Sequence, residues 1–225
     1  MILNIETSTT NCSVSIADKG QLIVLKELNS KDYSHAEQLH LFIEEVIEEA
    51  GIHKEDLSAI AVSKGPGSYT GLRIGVSAAK GLCFALDLPL ISVSTLQALA
   101  KQVTAKDNEL IVALLDARRD EVYTATYDRE FQTKSPVEAK IVEADSFDVI
   151  NTSAKVYFIG PGAEKCKRIA PISNGIYIPD AVPSSNEMSA LSWDKFQKED
   201  FEDVAYFEPF YLKDFVVTTK KKKAL

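Results

Sequence analysis

The segment from Ser63 to Lys80, SKGPGSYTGLRIGVSAAK, constrains the fold more than any other stretch of this chain. Gly65 and Gly67 bracket Pro66, so two residues free to adopt unusual dihedrals flank one whose φ is fixed. A helix follows, with Thr70 placed as its N-cap and Leu86 near its end. Along it Gly71, Gly75, Ala79 and Cys83 recur at every fourth position, and small side chains therefore line one side. A glycine inside a helix costs roughly 1 kcal/mol relative to alanine. Such a stripe calls for close approach by another helix or by a sheet.

Around that segment the hydrophobic periods alternate between strand and helix. Ile2 to Glu6, Asn11 to Ala17 and Gln21 to Leu28 read as strands, with a turn signal at Asp18-Lys19-Gly20. A helix is expected from His35 to Ala50, with Ser34 and Glu37 at capping-box spacing and Gly51 as its stop. Its apolar stripe of Leu39, Ile43, Val46, Ile47 and Ala50 is broadened by Leu41 and Phe42. Leu57 to Ser63 and Leu90 to Val93 are further strands, and Thr95 to Thr104 a further helix.

The order strand-strand-strand-helix-strand-helix-strand-helix is that of a ribonuclease-H-like unit, a mixed sheet with crossover helices on its faces. After Lys106-Asp107-Asn108 the opening hairpin recurs at low resolution. Leu3-Asn4-Ile5-Glu6 is answered by Ala113-Leu114-Leu115-Asp116, and strands are expected over Glu109 to Asp116 and Glu121 to Asp128. Strands near Val137 to Val142 and Val156 to Ile159, a helix after Gly160-Pro161-Gly162 and a last helix from Glu187 to Phe196 complete the pattern. The expectation is an α/β protein of two ribonuclease-H-like lobes, residues 1–105 and 106–225, in the actin-like arrangement.

With 225 residues, 45% of them apolar, the chain can bury a substantial core. Its 25 basic and 33 acidic residues give a formal charge of -8, which argues against a broad nucleic-acid-binding face. The lysine run from Lys220 to Lys223 is the local exception, read as a solubilising tail. Cys12, Cys83 and Cys166 are odd in number and widely spaced, the pattern of small buried hydrophobes. The opening MILNIETSTT lacks a signal-peptide pattern and no stretch has the length of a membrane span, so a cytoplasmic protein is expected.

Chemistry of its own is poorly provided for. An actin-like nucleotide site needs acids at the ends of the first strands, where Glu6 and Asp116 stand, and glycine-rich hairpins beside them. ETSTTNC contains no glycine, and DARRDEVY carries two arginines where amides would have to approach phosphate. Arg118 and Arg119 are expected to form surface ion pairs with Asp116, Asp120 or Glu121, with contact to phosphate or RNA as the alternative. Gly65 to Gly67 lacks the Gly-Lys-Ser/Thr ending of a phosphate-binding loop. His35 and His40 leave a helix on different sides and make a poor metal pair, and both are read as solvated or capping groups. Ser13, Ser68 and Ser94 are nucleophiles by residue type alone, without a nucleophile elbow or a completing histidine. No cofactor or metal is expected.

The block GPGSYTGLRIG, with ILNIETSTTNCSVSI, HAEQL, LLDARRDEVY and EPFYLK in the same order, resembles the TsaB (YeaZ) family. That resemblance spans nearly the whole chain and is looser in the second lobe. It implies an actin-like fold with a degenerate nucleotide site and a non-catalytic role in making threonylcarbamoyladenosine, beside the anticodon of tRNA. It further implies direct pairing with TsaD, which carries the metal site. TsaE and TsaC complete the pathway, self-association can occur without TsaD, and tRNA is met mainly through the complex. The first two helices, His35 to Ala50 and Thr70 to Leu86, would form the pairing surface. The candidate contacts are Leu39, Phe42, Ile43, Ile47, Gly71, Gly75 and Ala79. An independent actin-like ATPase or sugar-kinase relative is the alternative reading.

Overall fold

The computed structural model describes residues 1–30, 35–152 and 154–213. Ser34 and the Lys220 to Lys223 run lie outside the described residues. The first sheet holds β1 (Ile2–Glu6), β2 (Asn11–Asp18), β3 (Gln21–Asn29), β4 (Ala59–Gly65) and β5 (Leu90–Ser94) in the order β3-β2-β1-β4-β5. The second holds β6 (Leu110–Asp116), β7 (Glu121–Tyr127), β8 (Thr133–Ile141), β9 (Val156–Ile159) and β10 (Gly175–Ile178), in the order β10-β9-β6-β7-β8. Read from the opposite edge, the second sheet repeats the first strand for strand. In each, the first strand pairs antiparallel with the second and parallel with the fourth. Glu6 and Asp116 occupy the same place, the last residue of the first strand, opposite Ser13 and Val122.

The repeat extends to the turns. β4 ends in Gly65-Pro66-Gly67 and β9 is followed by Gly160-Pro161-Gly162, each leading into a helix. The first glycine of each is left-handed, with φ of 107° at Gly65 and 110° at Gly160. Both helices then lie back across the sheet they came from.

Among the described residues five α-helices cover the sheets. α1 (His35–Glu49) and α2 (Tyr69–Leu86) pack on one face of the first sheet, over Leu3, Ile5, Val14, Ile16, Ile60 and Val62. α4 (Ala163–Ile169) covers the outer face of the second sheet at Val112, Leu114 and Phe158. Between the sheets lie α3 (Thr95–Ala100) and α5 (Ser185–Gln197). Leu96, Leu99 and Ala100 of α3 bury against Ile111, Ala113 and Leu115 of the second sheet. Met188 of α5 buries against Ile2, Ala59, Ala61, Ile91 and Val93 of the first.

The expected division at residues 105 and 106 therefore separates the two sheets but not the two packing units. α5 follows the second sheet in the chain and covers the first. Beside Met188 its buried side carries Ser185, Ser189 and Ser192, and Ser185 meets polar residues of β2. Ser13 Oγ bonds to Ser185 Oγ at 2.8 Å, and Ser15 Oγ donates to the Ser185 carbonyl at 3.0 Å. β10 was not anticipated, and α3 stops at Ala100, four residues short of its expected end.

Candidate interaction face and a filled cleft

The glycine stripe of α2 faces inward. Thr7 Oγ1, in the turn between β1 and β2, donates to the Gly71 carbonyl at 2.8 Å, and Ser68 N donates to the Ser8 carbonyl at 2.6 Å. A Cβ at Gly67 would stand 2.4 Å from Ser8 O, at Gly71 2.1 Å from Thr7 O, and at Gly75 2.2 Å from Thr7 Oγ1. These distances admit no side chain. Ala79 and Cys83 continue the stripe into the core. The bare face thus lets α2 lie directly on the chain's own β1–β2 turn. Gly71, Gly75 and Ala79 are consequently covered within the monomer, which corrects their expected place at a partner contact.

The same packing fixes the start of the helix. Ser68, not Thr70, is the N-cap, its Oγ accepting from Gly71 N at 3.3 Å. The carbonyls of Ser8 and Phe210 crowd Gly67 and Gly65. Carbonyl oxygens so placed oppose an anion where the loop would otherwise cradle one.

Glu6 and Asp116, equivalent by topology, differ in environment. Glu6 is fully buried; its Oε1 accepts from Ser8 N at 2.6 Å and Ser63 Oγ at 2.9 Å, and its Oε2 has no partner among the described residues. Burial raises this carboxyl above its ordinary range, and the hydrogen bonds from Ser8 and Ser63 offset that only in part. Asp116 is exposed; its Oδ1 accepts from Arg118 N at 2.6 Å and its Oδ2 pairs with Lys165 at 3.1 Å.

The candidate nucleophiles serve structure. Ser94 caps α3 by accepting from Gln97 N, as Ser68 caps α2, and Ser13 belongs to the network with Ser185. Burial pushes the thiols up, to about 11 at Cys12 and about 12 at Cys83 and Cys166. His40 is exposed, but His35 is buried, which corrects its reading as a solvated group.

Among the α1 candidates, Leu39, Ile43 and Ile47 are core residues, and only Phe42 keeps part of its surface exposed. The outward face of the same two helices is built mostly from other residues, with Ile43 reaching it from the core. Between them runs a groove of about 620 Å³ whose lining includes Ala36, His40, Ile74, Ser77, Ala78 and Gly81. A Cβ added at Gly81 would meet nothing within 4 Å. Phe84 is 87% exposed on α2 and Leu41 is 52% exposed on α1. α2 therefore carries two faces of small residues, one filled by Thr7 and one open. Sequence periodicity singled out only the first, because Ser77, Ala78 and Gly81 do not stand at a single repeat.

The EPFYLK segment straps the lobes together. Phe210 N donates to the Lys64 carbonyl at 2.7 Å, and Arg73 Nε to Tyr211 Oη at 3.3 Å. Lys80, on α2, donates to the carbonyls of Ala205 and Phe207 at 3.1 Å each. Lys213 then reaches the second lobe, at the Ala117 carbonyl and the Glu121 carboxylate.

The β6–β7 turn departs from expectation. Asp116, Asp120 and Glu121 are paired with Lys165, Arg168 and Lys213, not with the adjacent arginines. Arg118 and Arg119 are exposed and make no ion pair among the described residues. Both have left-handed backbone, with φ of 69° and 51°. That conformation costs a residue with a Cβ about 1–2 kcal/mol.

Two like sheets, with helices outside and between them and the first turn packed by its own helix, define a two-lobed α/β protein of actin-like topology. The chain belongs to the family described as TsaD: tRNA N6-adenosine threonylcarbamoyltransferase, whose model matches residues 28–223. Within that family it is homologous to TsaB/YeaZ proteins. It is 29% identical to the tRNA threonylcarbamoyladenosine biosynthesis protein TsaB of Escherichia coli K12, over 97% of both chains. It is 34% identical to the TsaB protein of Buchnera aphidicola from Acyrthosiphon pisum, over 64% of this chain and 67% of that one. The solved structure of YeaZ from Pseudomonas aeruginosa superposes with a TM-score of 0.79 at 27% identity, covering 94% of this chain and 99% of that one. Among the described residues, no helix is long and apolar enough to cross a membrane.

Proposed function

We propose that this chain is a non-catalytic accessory subunit that pairs with TsaD for N6-threonylcarbamoylation of the adenosine beside the anticodon in tRNA. The observation that carries this reading is the open outer face of α1 and α2, lined by Ser77, Ala78 and Gly81, on helices that also expose Phe84 and Leu41. Glycine at an uncovered helix position lowers the stability of the monomer and gains nothing from it. A partner helix laid in the groove would use the space. Ile43 is the one earlier candidate that lines the groove, and Phe42 keeps part of its surface exposed elsewhere on α1.

The reading gives the chain no chemistry of its own. The turn that would face a phosphate is packed by α2, Glu6 is sealed, and Asp116 is held by Lys165. TsaE would join the larger complex, a second copy of the chain could occupy the same face when TsaD is absent, and tRNA would be met in the assembly. Reconstitution of the modification with TsaD and the other pathway proteins, with and without this chain, tests the proposal. Modified nucleoside counted by mass spectrometry should appear only when the chain is present. Undiminished modification in its absence would refute the role.

A further inference from the structure

The turn between β6 and β7 retains Arg118 and Arg119 against its own conformational preference. Left-handed positions favour glycine and, after it, asparagine, and two consecutive ones are filled here by side chains the backbone accommodates poorly. Backbone bonds from Arg118 N to Asp116 Oδ1 and from Glu121 N to the Arg118 carbonyl hold the turn, but neither guanidinium takes part in them. The three carboxylates nearest in sequence are engaged by Lys165, Arg168 and Lys213, and both guanidinium groups remain exposed without an ion pair among the described residues. Five cations therefore surround three carboxylates on a chain whose formal charge is -8. The backbone amide of Arg118 is engaged by Asp116 Oδ1, so the two arginine side chains, and not this amide, are left for a ligand.

From this we infer that Arg118 and Arg119 form a contact site for the phosphate backbone of RNA, placing the tRNA on the accessory subunit as well as on its partner. Guanidinium forks suit phosphate oxygens. A locally positive turn on an acidic protein attracts a polyanion at one place while the rest of the surface repels it. The inference rests on the reading that the chain acts in a tRNA-modifying complex.

The test uses the reconstituted complex with TsaD and a fluorescently labelled, unmodified tRNA transcript, titrated at several salt concentrations. The informative variant is Arg118→Asn with Arg119→Gly, because these residues suit the backbone and the variant should melt above wild type. Two lost phosphate contacts should weaken tRNA binding on the order of ten-fold and lower the slope of log affinity against log salt by about 1–2. Pairing with TsaD should be unchanged. Wild-type affinity and slope in the variant would overturn the inference. So would lost pairing with unchanged tRNA affinity, which would place the arginines against an acidic protein surface. If wild-type chain and TsaD do not pair at all, the proposed function fails first and this site fails with it.

Discussion

Replacing Gly75 with alanine tests the inward orientation of the α2 stripe, provided it is done in two backgrounds. In the wild-type chain the new methyl would lie 2.2 Å from Thr7 Oγ1, so the hydroxyl must leave the Gly71 carbonyl that it donates to. Stranding that buried donor costs about 1–3 kcal/mol, and local overpacking a further ~1–3 kcal/mol. Alanine returns about 1 kcal/mol of helix propensity. The net expectation is a loss near 2–3 kcal/mol, or roughly 4–12 °C in Tm for a chain of this size. With Thr7→Ala already present, the closest remaining atom is the Cβ of residue 7 at 3.4 Å, an ordinary contact. Gly75→Ala should then stabilise by up to about 1 kcal/mol. The coupling in this double-mutant cycle is near the top of the usual range for touching residues, about 3 kcal/mol. Urea unfolding of the four proteins measures it, and affinity for TsaD should hold in every variant that folds. Additivity within ~0.5 kcal/mol, or lost pairing at undiminished stability, would refute the packing described for this face.

Gly81→Ala should raise stability by about 1 kcal/mol, since its Cβ meets open space, whereas Gly81→Arg should leave a folded monomer that no longer pairs with TsaD; calorimetric titration decides both. Glu6→Gln probes the sealed carboxyl. A carboxyl raised by burial contributes stability that is present below its unfolded pKa and lost as pH rises through its folded value. The Tm advantage of the variant should therefore widen as pH rises above the ordinary carboxylate range, and a constant difference would contradict the burial. Purified chain with magnesium and ATP should release no substantial phosphate; robust turnover abolished by Glu6→Ala or Asp116→Ala would restore the independent-ATPase reading.

The duplicated hairpin was legible because each copy announces itself locally. Cys12, Val14 and Ile16 alternate, and the strands Ile2–Glu6 and Val156–Ile159 fall where the apolar runs place them. α5 was placed in sequence but not in space. Its buried side mixes Met188 with Ser185, Ser189 and Ser192, and serines set against Ser13 and Ser15 thin the hydrophobic period that would assign a face. The α2 glycines signalled a close approach correctly, yet spacing alone cannot say which neighbour approaches, and the neighbour is Thr7. Likewise Leu39, Ile43 and Ile47 belong to the core stripe, while the exposed Leu41 interrupts the period and drew less weight. The unpaired arginines depend on Lys165, Arg168 and Lys213, all distant in sequence from the turn except through the fold.

The return of α5 to the first sheet sets an order on biosynthesis. During translation the strands bearing Ile2, Ala59, Ala61, Ile91 and Val93 leave the ribosome well before Met188, which covers them. The whole second sheet is made in the interval. Nascent first-lobe strands can pair and receive α1 and α2, but their other face stays open to water and to neighbouring chains. At roughly 5–20 residues per second that face stays uncovered for several seconds, long enough for chaperones to bind it or for aggregation to begin. Closure of the first lobe is thereby a late event, coupled by α5 to completion of the second, and a nascent chain arrested before Ser185 would carry two sheets and only half of the cover for the first.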